Sequence, residues 1–200
     1  MEPETLEALL HAVAQAVIAH VEELTALDQA IGDGDHGLNM KRGFETVEAL
    51  AADISRQALP DALTQVGKSL VLTVGGASGP LYGTFFMTFG KELPAEPGFI
   101  DVGHAFDAAV AAVERRGKSS AGQKTLLDVL VPVREELSKG TPNLLERVKR
   151  RASSAADATI PMRAMRGRAS FLGERSIGHM DPGARSCSLV IATLCDFLGE

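Results

Sequence analysis

The chain has 200 residues, 45% apolar and 23% charged, with a formal net charge of −6. That length fits a single domain, and that apolar fraction supplies a full core. The negative balance lacks the electrostatic footprint of a nucleic-acid binder and argues against an anionic membrane surface, and no apolar run reaches the ~18–20 residues of a membrane span.

The opening MEPETLEALL is acidic where a secretory signal would be basic, so a cytoplasmic protein is expected. Pro3 suits a first helical turn, where its missing N–H costs nothing. Leu6, Leu9, Leu10, Val13, Val17, Val21 and Leu24 then recur at helical spacing and predict one helix with one buried stripe. An acidic, glycine-rich stretch follows, LDQAIGDGDHGLNMKR from Leu27 to Arg42. A second helix carries Met40, Phe44, Val47, Leu50 and Ile54 toward the core. Pro60 opens a third, with Leu63, Val66 and Leu70. Its end, SLVLTV, is rich in β-branched residues, but a lone strand has nothing to pair with, and the segment is predicted helical. After GGASGPLYG, Gly75 to Gly83, Pro80 begins a fourth helix through Phe85, Phe86 and Phe89.

ELPAEPG, Glu92 to Gly98, is a breaker-rich loop. A fifth helix runs from about Val102 to Arg116. The loop RGKSSAGQK precedes a sixth helix through Leu126, Leu127, Leu130 and Leu137, in which Pro132 implies a kink or a late start. Lys139-Gly140-Thr141-Pro142 marks a stop and a new start. The seventh helix carries Leu144, Leu145, Val148 and an alanine-rich continuation, and its basic run, Arg147 to Arg151, reads as a solvated face. From Arg163 to Gly183 the hydrophobic period disappears. So long an irregular segment, holding Arg163, Arg166, Arg168 and Arg175, is expected to be functional. Asp181-Pro182 is an N-cap and first-turn pair opening an eighth helix through Leu189, Val190, Leu194 and Phe197. Cys187 and Cys195 share that helix. Eight positions put them roughly 12 Å apart along its axis, too far for a disulfide, so both are expected as buried free thiols. The expectation is one all-α domain over residues 1–200, with eight antiparallel up-and-down helices.

The acidic stretch carries the chemistry. Asp28, Asp33 and Asp35 offer hard oxygen ligands among glycines able to wrap, which suits a divalent cation; a solvated acidic loop is the bland alternative. Gly32 to Gly37 satisfies G-x-G-x-x-G, yet a helix precedes it rather than a strand, and its aspartates repel a pyrophosphate. Bridging Mg²⁺ removes that objection, since Mg²⁺ is commonly held by a few carboxylates plus substrate phosphates. No acidic residue stands where an EF-hand needs its twelfth-position ligand. GGASGP adds backbone N–H groups, the Ser78 hydroxyl and a helix N-terminus, a setting that favours anions. His36, as a phosphoryl carrier, a metal ligand or a donor to phosphate, fits the last role best, with its protonated form favoured by the neighbouring carboxylates. His11 and His20 read as surface or packing residues. Arg168 and Arg175 match phosphate or ribose oxygens by fork geometry, although a lone arginine is more often an ion-pair partner.

LDQAIGDGDHGLNMKRGF, GGASGPLYG, RGK with QKTLLDVLVP, GRASFLGERSIGH and DPGARS occur in this order between about residues 27 and 190. Together they resemble the L subunits (DhaL) of phosphotransferase-system-dependent dihydroxyacetone kinases, a module shared with the nucleotide domain of ATP-dependent dihydroxyacetone kinases. The resemblance implies an eight-helix antiparallel barrel binding ADP through two Mg²⁺ ions, with Asp28, Asp33 and Asp35 as metal ligands. It implies phosphate contacts from His36, Gly37, Leu38, Asn39, Ala77 and Ser78. Gly117, Leu126, Arg168, Asp181, Pro182 and Gly183 would surround adenine and ribose. Leu126 stands where methionine is frequent, and Ala77 where threonine or serine is, which removes one hydroxyl. It further implies that ADP is phosphorylated in place to ATP by a phosphohistidine protein (DhaM), for transfer to dihydroxyacetone held on a K subunit (DhaK). No nucleophile is needed from this chain. The alternatives are a subunit of an ATP-dependent sugar kinase, or an ADP-loaded partner of a transcription regulator.

Overall fold

In the computed structural model, which describes residues 1–140 and 142–199, the helical periodicities become helices almost one for one. The order is α1 (Pro3–Ala19), α2 (Val21–Ile31), α3 (His36–Ala49), α4 (Ala51–Ile54), α5 (Leu59–Thr73), α6 (Ser78–Glu92), α7 (Phe99–Gly117), α8 (Leu127–Leu137), α9 (Leu144–Asp157), a 3-10 helix (Arg168–Ser176) and α10 (Pro182–Gly199). The class is all-α, with no strand among the described residues, and SLVLTV is helical through Thr73.

Two expected helices are each two. The first breaks at His20 (φ −104°, ψ 15°), and the second breaks at Leu50 (φ −99°, ψ 0°). Both residues sit in the bridge region beside the α basin, and neither site has the glycine or proline that marks a break in sequence. The apolar stripe runs on through each, so periodicity alone joins the pieces. α7 starts at Phe99, earlier than expected, because the Asp101 carboxylate accepts the Gly98 N–H at 2.9 Å and caps the helix there. α6 begins two residues before Pro80, and α8 runs through Pro132 rather than starting at it. The stop expected at Lys139–Pro142 centres on Thr141, which lies outside the described residues.

The chain forms two compact units, Met1–Ile18 with Asn39–Lys118, and Ala19–Leu38 with Ser119–Glu200. In the first, α6 packs between α5 and α7. Phe85 and Phe89 of α6 meet Phe106 of α7 edge to face, with centroids 5.3 and 6.3 Å apart. In the second, α10 packs against α2, α8 and α9. From Ser186 to Ile191 its residues are buried on every side, and Cys195 is buried one turn on, as the central part of an interior helix requires. Both cysteines are free and buried, as expected. Burial pushes the Cys195 thiol up to about 11 and raises the Cys187 thiol further. The basic run on α9 faces solvent as expected, with Arg150 and Arg151 exposed, and it is also ion-paired. Arg147 donates to Glu136 at 2.7 Å and to the Gly140 carbonyl at 2.5 Å, and Lys149 pairs with Asp196 at 2.5 Å.

Candidate functional site

The acidic stretch folds as the end of α2, a four-residue turn and the first turn of α3. Asp28 therefore belongs to the last turn of α2 rather than to the loop. Gly32 allows the Asp28 carboxylate to fold over the turn, since a Cβ at this position would stand 2.1 Å from Asp28 Oδ1. The His36 backbone N–H donates to Asp28 Oδ2 at 3.1 Å. Gly37 brings α3 against α2, where a Cβ would meet the Val21 carbonyl oxygen at 2.3 Å. The result is a cluster in which Asp28, Asp33 and Asp35 each offer a carboxylate oxygen within 4.8 Å of the others.

This donor set fits Mg²⁺. Three carboxylate oxygens this close together are the hard, anionic donors that a divalent cation of this kind takes. Asp33 is also paired with Arg168 Nη1, which comes from the 3-10 helix of the same unit. Arg168 thus has the ion-pair partner that a lone arginine usually finds.

His36 is buried, with its imidazole Nε2 and Ser186 Oγ 3.0 Å apart, and it also hydrogen-bonds to the backbone of Pro182. The ring therefore ties the first turn of α3 to the first turn of α10. Burial lowers its pKa and outweighs the opposite pull of Asp28 and Asp35. The pull of the carboxylates toward a protonated ring is present as expected, but desolvation exceeds it and the net shift runs the other way.

Asp181 caps α10 as expected, its Oδ2 accepting the Ala184 N–H at 2.7 Å. Burial raises its pKa to about 7, against that hydrogen bond; the Asp128 carboxylate adds to the rise and the Lys124 ammonium opposes it. Gly183 faces Leu126, with 3.9 Å between the leucine Cβ and the position a glycine Cβ would take. The second unit thus gathers Asp28, Asp33, Asp35, His36, Leu126, Arg168, Asp181, Pro182 and Gly183. Asn39, Ala77, Ser78 and Gly117 belong to the first unit. There Asn39 Oδ1 accepts from Arg42 Nη2 at 2.9 Å, Ala77 and Ser78 start α6, and Gly117 ends α7.

Three side chains that brace these residues are not distinguished in the sequence. Ser186 anchors His36. Asp128 holds the loop before α8, accepting the Gly122 and Thr125 N–H groups at 2.5 and 2.7 Å. Lys124 is 1% exposed and faces five backbone carbonyls within hydrogen-bond distance of its ammonium. Lys124 and Ser186 lie inside QKTLLDVLVP and DPGARS, but no pattern distinguishes a buried lysine from a solvated one in a single sequence.

The DAK2 domain family matches residues 30–196. The ADP-binding subunit DhaL of PEP-dependent dihydroxyacetone kinase from Escherichia coli K12 is 44% identical over 181 residues, 86% of each chain. Subunit DhaL of kinase 1 from Listeria innocua is 43% identical over 172 residues, 84% of this chain and 82% of its own. A crystal structure of dihydroxyacetone kinase from C. freundii in complex with AMP-PNP and Mg²⁺ matches with a TM-score of 0.76 and 25% identity. That match covers 96% of this chain and 33% of the C. freundii chain.

Proposed function

Since the chain belongs to the DAK2 domain family, we infer that it is the ADP-binding subunit of a phosphotransferase-system-dependent dihydroxyacetone kinase. The observation that carries this reading is the convergence of Asp28, Asp33 and Asp35 at the N-terminus of α3, in a chain of which 86% aligns with an ADP-binding subunit. The relative solved with AMP-PNP and Mg²⁺ supports magnesium as the metal.

The three aspartates would hold Mg²⁺, which when bound neutralises the diphosphate and offsets charge developing on the transferred phosphoryl group. Asp28 is fixed for this by the His36 N–H, and the first turn of α3 is fixed by the His36 ring on Ser186. The first-turn amides of a helix lack intrahelical partners and carry partial positive charge, so Gly37 and Leu38 face phosphate oxygens with donors ready. Arg168 supplies a planar fork for a phosphate or ribose oxygen. Leu126 gives an apolar surface to the base beside the Asp181–Gly183 turn. The work is positioning and charge compensation, and the nucleophile comes from the acceptor sugar on a K subunit (DhaK). A phosphohistidine protein (DhaM) recharges the bound ADP. The C. freundii relative supports a second reading, in which nucleotide is exchanged as ATP. Retention of ADP through gel filtration, with charging by a phosphohistidine donor, separates the first reading from the second.

Native mass spectrometry of the protein supplied with Mg²⁺ and ADP tests the site itself. The parent should carry nucleotide and metal together. Asp33→Asn and Asp35→Asn should lose nucleotide while far-UV dichroism stays unchanged, and chelator should release ADP and lower the Tm. Full ADP content in either variant would remove the aspartates from the site.

A further inference from the structure

The long segment that breaks the hydrophobic period holds a 3-10 helix that starts at Arg168, and it ends at the Asp181–Gly183 turn. Its placement converges on one atom. Lys124 Nζ lies 2.9 Å from the Thr159 carbonyl oxygen, 3.4 Å from that of Ile160, 3.0 Å from Met162, 2.8 Å from Ser176 and 2.5 Å from His179. Thr159, Ile160 and Met162 lie just before the segment and Ser176 and His179 lie near its far end, so the ammonium closes it like a clasp. An ammonium has three donors, and five carbonyls share them. Next to it, Gln123 accepts the Met165 N–H on its carbonyl at 3.1 Å and the Arg166 Nε–H on its side chain at 2.9 Å. Lys124 itself is held at φ 62°, in the left-handed region that a lysine rarely occupies. The Asp128 carboxylate fixes the surrounding loop through the Gly122 and Thr125 N–H groups. A backbone outlier, a buried cation and a braced loop therefore serve a single purpose.

We propose that Lys124 is the positioning residue of the nucleotide site, touching no nucleotide but fixing the Thr159–His179 segment so that Arg168 and the Asp181–Gly183 turn are set for it. This rests on the nucleotide-site reading above. It differs from a purely structural role in what it couples: loss of the ammonium frees the segment, and nucleotide affinity falls before the helices melt. Solvent-exposed Arg168 and its neighbours Arg166 and Arg175 make the segment a trypsin target once released.

The test compares the parent, Lys124→Met, Lys124→Arg and Val148→Ala, a core truncation on α9 of the same unit. Each is measured for Tm, for Mg-ADP affinity by calorimetry well below its own Tm, and for tryptic cleavage within 163–175 without nucleotide. Lys124→Met should weaken Mg-ADP by about 10-fold or more and speed cleavage by a similar factor, while Val148→Ala lowers Tm and leaves both at parent values. A guanidinium cannot bring one nitrogen to five carbonyls, so Lys124→Arg should be several-fold impaired in both; it decides the matter if Lys124→Met does not fold. Parent-like affinity and cleavage in Lys124→Arg or Lys124→Met overturn the proposal. So does an equal loss of affinity in Val148→Ala at matched Tm. A parent that does not bind Mg-ADP removes the nucleotide-site reading instead, and the cleavage arm then still reports whether the ammonium holds the segment.

Discussion

Gly37→Ala is the sharpest single perturbation of the acidic turn. A methyl at this position would stand 2.3 Å from the Val21 carbonyl oxygen, 2.2 Å from Thr25 Oγ1 and 2.8 Å from the Thr25 nitrogen. The Thr25 hydroxyl can rotate, but the Val21 carbonyl is backbone in the first turn of α2. Restoring a carbon–oxygen contact of ~3.2 Å requires the first turn of α3 to retreat by about 1 Å, and overpacking of this kind costs about 1–3 kcal/mol. For a chain of this size that is a loss of roughly 2–12 °C in Tm. The functional loss should be larger than the stability loss implies, because His36, Gly37 and Leu38 all ride on the displaced turn. A misplacement of ~1 Å can lower activity by as much as 10²-fold. Calorimetric titration with Mg-ADP alongside a thermal melt reads both. Gly37→Ala/Thr25→Ala should recover only part, since the Val21 carbonyl remains in the way. A Gly37→Ala protein with parental Tm and parental Mg-ADP affinity would refute the close-approach reasoning.

Two further outcomes follow from buried polar groups. Thr25 Oγ1 is buried and has no hydrogen-bond partner among the described residues, so Thr25→Val should leave stability unchanged or raise it by up to about 2 kcal/mol, read as an increased denaturant midpoint. Asp181 has a folded-state pKa of about 7 against an ordinary 3.8, so the folded protein binds more protons than the unfolded chain between those values. Its contribution therefore weakens stability as pH rises from about 4 to 7, and Asp181→Asn, which keeps a cap for α10, should flatten that decline. Melts at pH 5 and pH 8 check it: the variant's advantage over the parent should be clearly larger at pH 8 than at pH 5, and an equal advantage at both would refute the titration.

Most of the fold is legible because its helices carry apolar stripes bounded by glycine and proline. Leu6, Leu9, Val13 and Val17 of α1 and Val66 and Leu70 of α5 are buried where the 3.6-residue period puts them, whereas α10 buries consecutive residues from Ser186 to Ile191. The breaks at His20 and Leu50 are not legible, since neither interrupts the stripe. The three aspartates are found by composition and spacing alone, and the structure brings their oxygens together. What those residues rest on is hidden: the charge state of His36 depends on burial contributed by helices remote in sequence, and Lys124 looks like any other lysine. Local chemistry shows which atoms can bind, whereas the partners that hold those atoms come from segments 35 to 150 positions away.

The two cysteines of α10 offer a use that has nothing to do with phosphate. Packed in the interior helix of their unit with thiols held protonated, Cys187 and Cys195 are poor targets for alkylating reagents or oxidants while the fold is closed. A maleimide mixed with the native protein would therefore register how often the helices around α10 part rather than how much surface they show, so the chain carries its own clock for opening.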